Sequence, residues 1–215
     1  IKVKKVDNYF SKLNTFPNHP HLEVMREYAK TNKVPIINDD SLALMLELVD
    51  LLKPKNFLEI GTAIGFCSIN IALANNDVFI DTIERDKDMY LEAKRNITSL
   101  NLEKRINLIY TDALELDLKQ LDKKYEIIFI DAAKAQYRKF FEKYANLLSA
   151  NGIIISDNLL FHGLVEDRDN IQSKNLKSLV RKIAEYNLWL KENKEFKTSF
   201  LNIGDGIAIS KRVKN

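Results

Sequence analysis

Two short runs hold the side chains best suited to chemistry. The first is Asp131-Ala132-Ala133-Lys134, directly after Ile127-Ile128-Phe129-Ile130; the second is Asp157-Asn158, after Ile153-Ile154-Ile155-Ser156. Each acid stands at the C-terminal end of an apolar run, and 26 residues separate them, the length of one strand–helix–strand unit. Adjacent parallel strands would bring the two acids side by side at one edge of a sheet. Two carboxylates and an amide oxygen form a hard-oxygen set suited to Mg²⁺ with open water positions, and unsuited to zinc. Either aspartate alone could cap a helix; the pair with Asn158 favours a cation, because adjacent unneutralised carboxylates repel. Lys134 is either a solvated surface charge or, beside a divalent cation that disfavours its ammonium form, a base.

A second set of acids falls at the ends of three earlier runs. Leu58-Glu59-Ile60 leads into Gly61-Thr62-Ala63-Ile64-Gly65, Thr82-Ile83 into Glu84, and Tyr110-Thr111 into Asp112-Ala113. Two glycines after a strand let the backbone turn tightly and approach a ligand. The spacing is G-x-x-x-G, so the dinucleotide pattern G-x-G-x-x-G is absent, as is the lysine of a phosphate loop. Glu59 would repel a pyrophosphate and suits a ligand carrying an amine. Glu84 lies about one strand–helix–strand unit on, where an acid hydrogen-bonds ribose hydroxyls; a helix-capping surface Glu is the alternative. Acids at three successive strand ends favour a ligand with ribose, amine and adenine donors, S-adenosylmethionine rather than NAD.

The elements that must position these residues are legible from periodicity. From Asn56 onward short apolar runs (57–60, 78–83, 106–110, 126–130 and 152–156) alternate with amphipathic stretches such as 86–100 and 134–148. Continuous apolar strands between amphipathic helices imply a parallel sheet covered on both faces. A long helix is expected from Asn170 to about Leu190, then strands 197–203 and 206–211 joined by Gly204-Asp205 and closing the sheet antiparallel. The first 55 residues read as a helical extension: one helix from Pro20, and a second capped by Asp39-Asp40 and ended by Pro54. The expectation is a single α/β domain over 1–215, with an N-terminal helical cap (1–55) and a catalytic core (56–215).

Composition narrows the classes. A hydrophobic fraction of 46% excludes a disordered chain. One cysteine, Cys67, and three scattered histidines exclude an internal disulfide and a Cys- or His-built metal site. No apolar run approaches the ~20 residues of a membrane helix and no secretory pattern opens the sequence, so no membrane partner and a cytoplasmic location are expected. A net charge of +3 permits an anionic partner without requiring one.

In order and spacing, Glu59-x-Gly61-x-x-x-Gly65, Thr82-Ile-Glu84, Phe129-Ile-Asp131-Ala-Ala-Lys134, Asp157-Asn158 and Ile203-Gly-Asp-Gly206 resemble the cation-dependent class I O-methyltransferases, the catechol and caffeoyl-CoA enzymes and their bacterial relatives. The resemblance spans Val34 to Arg212 and implies a Rossmann-like, seven-stranded, mostly parallel sheet with a final antiparallel strand. It implies that Gly61 and Ile37 lie against the methionine part of S-adenosylmethionine, with Glu59 and Gly65 in the same binding turn. Glu84 would take the ribose, while Asp112 and Ala113 flank the adenine. Asp131, Asp157 and Asn158 would ligate Mg²⁺ or another divalent cation, Asp131 also touching cofactor, with Lys134 as base. The family usually has Ser where Cys67 stands, contacting the cofactor carboxylate, so Cys67 and the adjacent Ser68 are both candidate cofactor contacts, although Ser68 should point elsewhere on the helix and Cys67 reads as a packing thiol.

The reaction implied is methyl transfer to a hydroxyl with a second oxygen beside it. Catechols satisfy that, and so does 5-hydroxyuracil. The Phe129-to-Tyr137 stretch and the Glu59-to-Phe66 turn look most like the bacterial branch that methylates 5-hydroxyuridine at the tRNA wobble position, and small Ala132 and Ala133 leave room for a nucleotide in an anticodon loop. Arg138, Arg168 and Arg181 are the expected phosphate contacts and Phe161 and His162 a stacking surface; a solvated helix face and ordinary loop packing are the alternatives. A small-molecule catechol-type enzyme is the rival acceptor reading, and a cofactor-binding protein without catalysis the rival class. A homodimer is expected from the family.

Overall fold

A computed structural model of the chain describes Tyr9 and residues 11–213. Two helices come first, α1 (Pro20–Asn32) and α2 (Asp39–Leu52). Strand β1 (Asn56–Ile60), helix α3 (Phe66–Ala74), β2 (Phe79–Glu84), α4 (Lys87–Ser99) and β3 (Ile106–Tyr110) follow. Then come β4 (Tyr125–Ile130), α5 (Tyr137–Tyr144), β5 (Leu148–Ser156), α6 (Lys174–Glu192) and the hairpin β6 (Phe196–Leu201)–β7 (Ile207–Arg212). The strands form one seven-stranded sheet in the order β3-β2-β1-β4-β5-β7-β6, parallel except for β7, which runs antiparallel between β5 and β6.

The apolar runs face two cores by alternation. Phe57, Ile127, Phe129, Ile153 and Ile155 pack on one face with Ile69, Ile71 and Ala72 of α3, Ile97 of α4, and Leu22, Met25, Leu42, Met45 and Val49 of α1 and α2. Leu58, Ile60, Ile128, Ile130 and Ile154 pack on the other with Phe140, Phe141 and Tyr144 of α5 and Tyr186 and Leu190 of α6. A strand covered on both faces needs apolar residues at every position, which is why the runs are continuous.

Four boundaries differ from the sequence reading. Asn38 caps α2, its side chain accepting from Ser41 N at 2.9 Å, while Asp39 and Asp40 already lie in the first turn, where their charge meets the positive helix end. The expected helix over 134–148 is interrupted: 3₁₀ turns at Lys134–Gln136 and Ala145–Leu147 flank α5, and Leu148 already pairs with Tyr125. The long helix α6 starts at Lys174, capped by Ser173. The β6–β7 connection runs over 202–206 rather than two residues, because its backbone and Asp205 bond to the loop after β5 instead of continuing the ladder.

Consecutive strands diverge between β1 and β4, and the residues expected to do chemistry gather at that crevice. Asp131 N donates to Ile60 O at 3.0 Å and Asp157 N to Ile130 O at 3.2 Å, so the three strand ends are knitted together. Gly61, at φ +102°, allows this: a Cβ there would stand 2.0 Å from Asp131 O. Gly61→Ala should therefore lower the free energy of unfolding by at least ~2 kcal/mol, from overpacking and a left-handed alanine together. Denaturant titration of the purified variant measures it, and an unchanged midpoint would contradict the close approach.

Candidate functional site

One open cavity of about 1180 Å³ runs along the C-terminal ends of the parallel strands. At one end lie Glu84, Arg85, Asp112 and Ala113; in the middle Ile37, Glu59, Gly61 and Cys67; at the other end Asp131, Lys134, Asp157, Asn158, Phe161 and His162. The pairing of Ile130 with Ser156 puts Asp131 and Asp157 next to each other, as the spacing predicts.

Glu84 is a fixed acceptor. Its Oε2 accepts from Ala63 N at 2.8 Å, and its Oε1 from Arg85 N and Asp86 N at 2.9 and 2.8 Å, so the carboxylate is aimed by the backbone around it. Asp112 accepts from Leu114 N at 2.8 Å and pairs with Arg85 at 3.2 Å; the backbone hydrogen bond first, then Arg85, hold its carboxyl below the usual range. Ala113 is fixed through its carbonyl, which accepts from Tyr144 Oη at 2.7 Å.

Glu59 is buried to 1% exposure, and its Oε2 accepts from Ser68 Oγ at 2.5 Å and Thr82 Oγ1 at 2.6 Å. Burial outweighs these hydrogen bonds and raises its pKa to about 7. Cys67 is buried at the cavity wall, and burial followed by the adjacent Glu59 charge pushes its thiol well above the ordinary range, so it stays neutral. Ser68 belongs to a different layer: fully buried beneath Glu59, it orients that carboxylate and does not reach the cavity, which corrects its placement among the cofactor contacts. Gly65 does not line the cavity either; at φ +83° it starts α3 and packs near Ala93.

At the far end the two aspartates meet. Asn158 Nδ2 donates to Asp131 Oδ1 at 2.8 Å, and Asp157 Oδ1 accepts from Asn158 N at 2.7 Å and from Ser41 Oγ at 3.4 Å. Burial, then the Asp131 charge, raise the Asp157 pKa to about 7; burial raises Asp131 as well, opposed by Lys134 and the Asn158 hydrogen bond. Among the described residues no group of three or more His, Cys, Asp and Glu side chains gathers as a metal site. Asp131, Asp157 and Asn158 nevertheless supply only hard oxygen donors apart from the amide nitrogen, and mutual repulsion leaves the carboxylates short of positive charge. That donor set fits a divalent cation.

Lys134 lines the same end, its Nζ 5.9 Å from the Phe161 ring centre. Asn158, Phe161 and His162 have φ of 61°, 47° and 57°, left-handed conformations that cost non-glycine residues roughly 1–2 kcal/mol each. The expected phosphate contacts fall outside the cavity. Arg138 pairs with Glu142 at 2.8 Å and lies 5.1 Å over the Trp189 ring; Arg181 pairs with Glu185 at 3.4 Å; Arg168 stands exposed in the 168–170 turn. Four charged lining residues had no site role in the sequence reading: Asp39 and Asp40, read as caps, Arg85, and Asp205, read as part of a hairpin turn and of the Ile203-to-Gly206 motif. Only the tertiary approach of distant loops marks them.

The model of a family described as O-methyltransferase matches residues 14–213. A candidate caffeoyl-CoA O-methyltransferase of Arabidopsis thaliana is 29% identical over 223 residues, covering 99% of this chain and 95% of its own. Among solved structures, a candidate caffeoyl-CoA O-methyltransferase from Staphylococcus aureus is 42% identical with a TM-score of 0.90, over 96% of this chain and 98% of that one. An O-methyltransferase from Bacillus cereus, solved with S-adenosylhomocysteine, shares the fold at a TM-score of 0.80 and 24% identity, over 97% of each chain.

Glu59 makes the stability of the ligand-free protein depend on pH. Its pKa rises from 4.5 to about 7 on folding, so between those values the folded state holds a proton that the unfolded state has released, and stability falls as pH rises through that window. Glu59→Gln keeps an oxygen acceptor and removes the titration. Its stability relative to wild type should rise by on the order of 2 kcal/mol between pH 5 and pH 8. Urea unfolding at both pH values measures it, and a pH-independent difference would contradict the raised pKa.

Proposed function

The chain belongs to the O-methyltransferase family, and on that premise we propose that it methylates 5-hydroxyuridine at the wobble position of tRNA, using S-adenosylmethionine and a divalent cation such as Mg²⁺. The observation that carries the reading is one cavity with two chemically distinct ends, acceptors for a nucleoside at Glu84 and Asp112 and a buried carboxylate pair at Asp131 and Asp157. When bound, the cofactor supplies an electrophilic methyl group and the cation a Lewis acid.

The protein's own groups do the rest. Glu84 accepts from the ribose hydroxyls with a carboxylate already held by three backbone N–H groups. Gly61 and Ile37 fit against the methionine portion, and Glu59, poised between its charged and neutral forms near pH 7, faces the ammonium group. Asp131, Asp157 and Asn158 hold the cation. In its neutral amine form, which a neighbouring divalent cation would favour, Lys134 receives the acceptor hydroxyl proton at Nζ, and the walls orient that oxygen toward the methyl group. Ala132 and Ala133 leave space beside this end, and Phe161 and His162 offer faces on which a base can stack. Arg138, Arg168 and Arg181 lie outside the cavity and are assigned, on this reading, to phosphates flanking the methylated base. A cytoplasmic homodimer is part of this proposal.

A specific observation supports a second acceptor reading, a small catechol-type molecule: the lining holds Asp39, Asp40 and Asp205 at the acceptor end against only Lys134 and His162. Methyl transfer to tRNA from a strain lacking wobble methylation, run beside catechol, decides between them. The expected result is turnover of the tRNA, abolished by chelation, with affinity falling on a log–log salt plot by about 0.7–0.9 per phosphate contact. Faster turnover of catechol, or salt-independent kinetics, would select the small molecule, and full activity after exhaustive chelation would reject the cation.

Glu84 is tested separately. Truncation to alanine would also strip three backbone N–H groups of their acceptor, so Glu84→Gln is the cleaner change. It removes the charge from the ribose hydrogen bonds and should weaken S-adenosylhomocysteine binding about tenfold in calorimetry. Unchanged affinity would reject the ribose assignment.

A further inference from the structure

We propose that Asp205 is a positioning residue for the acceptor end of the cavity, holding the Phe161–His162 segment in the conformation that presents its rings to the acceptor. The proposal rests on the reading of that end as the acceptor site. The segment after β5 is conformationally costly, with Asn158, Phe161 and His162 all left-handed and Gly163 following at φ 78°. Such backbone persists only where its surroundings over-determine it. Those surroundings include Asn187 of α6, whose Nδ2 donates to Leu159 O at 3.1 Å, and, with more bonds, the β6–β7 loop.

Three hydrogen bonds join the two segments. Leu159 N donates to Gly206 O at 3.0 Å, Leu160 N to Asp205 O at 2.8 Å, and His162 N to Asp205 Oδ1 at 2.6 Å. The last is the only one of these made by a side chain, and it is charge-assisted and short. Asp205 Oδ2 also lies 3.6 Å from His162 Nδ1, so one carboxylate meets both the amide and the ring of the same residue. The carboxylate is mostly covered, at 14% exposure, whereas the His162 ring is 79% exposed and free to meet a ligand. Gly206 completes the contact: a Cβ there would stand 2.7 Å from Leu160 Cγ. At its other side the same loop touches the start of α2, since a Cβ on Gly204 would fall 2.4 Å from Ser41 Oγ, whose hydroxyl donates to Asp157. Asp205 is thus the polar side chain that couples a loop remote in sequence to the acceptor-facing rings.

The neutral isostere Asp205→Asn keeps an oxygen to accept the His162 amide; Asp205→Ala removes it, and Asp205→Glu displaces it by one methylene. Hydrogen exchange of the peptide covering 158–165 should accelerate about tenfold or more in the Ala and Glu variants, matching the loss of a charge-assisted hydrogen bond, and stay near wild type in the Asn variant. With tRNA containing 5-hydroxyuridine as acceptor and catechol in parallel, acceptor KM should rise by a similar factor in the Ala and Glu variants. kcat should change much less, S-adenosylhomocysteine affinity should hold, and Asn should rescue. If the Ala variant does not fold, the Asn–Glu contrast gives the same comparison. Unaltered exchange and KM in the Glu variant, or an Asn variant as impaired as Glu, would overturn the proposal. A wild-type protein inactive on both acceptors would reject the proposed function, while the exchange measurement would still decide the role of Asp205.

Discussion

Carboxylates are crowded where water is scarce: Glu59, Asp131 and Asp157 sit at the ends of three adjacent strands, and desolvation raises the pKa of each. A fold that simply minimised its energy would keep these charges in water. Here the sheet order forces them together, because β4 inserts beside β1 and β5 beside β4. The result is a local deficit of positive charge at the cavity wall. A ligand bearing an ammonium or sulfonium group and a hard divalent cation both relieve it; a pyrophosphate would aggravate it. The absence of a G-x-G-x-x-G turn and the presence of an acid before Gly61 point the same way.

The surrounding layers hold this charge in place. Ser68 and Thr82 bind one oxygen of Glu59, and Thr62 extends the chain to Thr82 at 2.6 Å, so the carboxylate has a fixed direction in either protonation state. Asn158 bridges Asp131 with its side chain and Asp157 with its backbone. Tyr137 Oη donates to Asp157 O at 3.0 Å, tying the first turn of α5 to the same strand end. Preorganisation of this kind limits how far the groups can relax when a ligand arrives, which is where electrostatic catalysis gains most.

The two ends of the cavity are built differently. Around Glu84 and Asp112 the lining comes from strand ends and the turns immediately after them, rigid through the sheet ladder. The opposite end adds to its strand-end acids the 158–163 loop, whose left-handed residues are contacted by the β6–β7 loop. Functional groups on a loop over a rigid sheet can be repositioned without altering the scaffold beneath them. This arrangement also separates the measurable consequences, since a change in the loop can alter one end of the cavity without disturbing the Glu84 end.

Much of this was legible in the sequence, and for a physical reason. Period-two burial and apolar continuity are local properties, so the strands from Phe57 to Ser156 and the helices between them could be placed from pattern alone. Strand ends in a parallel sheet all face one edge, so Glu84, Asp112, Asp131 and Asp157 could be assigned to a common crevice from their positions. What pattern could not decide was direction within an element and contact between remote loops. Ser68 and Cys67 are neighbours on one helix, yet one lies beneath Glu59 and the other faces the cavity. Arg138 and Arg181 looked like free cations but are paired with acids one helical turn away. Asp205 looked like a turn residue, and only the packing of the hairpin loop against the segment after β5 gave its carboxylate a partner. Local periodicity determined the scaffold and the acids at its edge; which side chains meet across that edge depended on long-range approach, which no short window of sequence encodes.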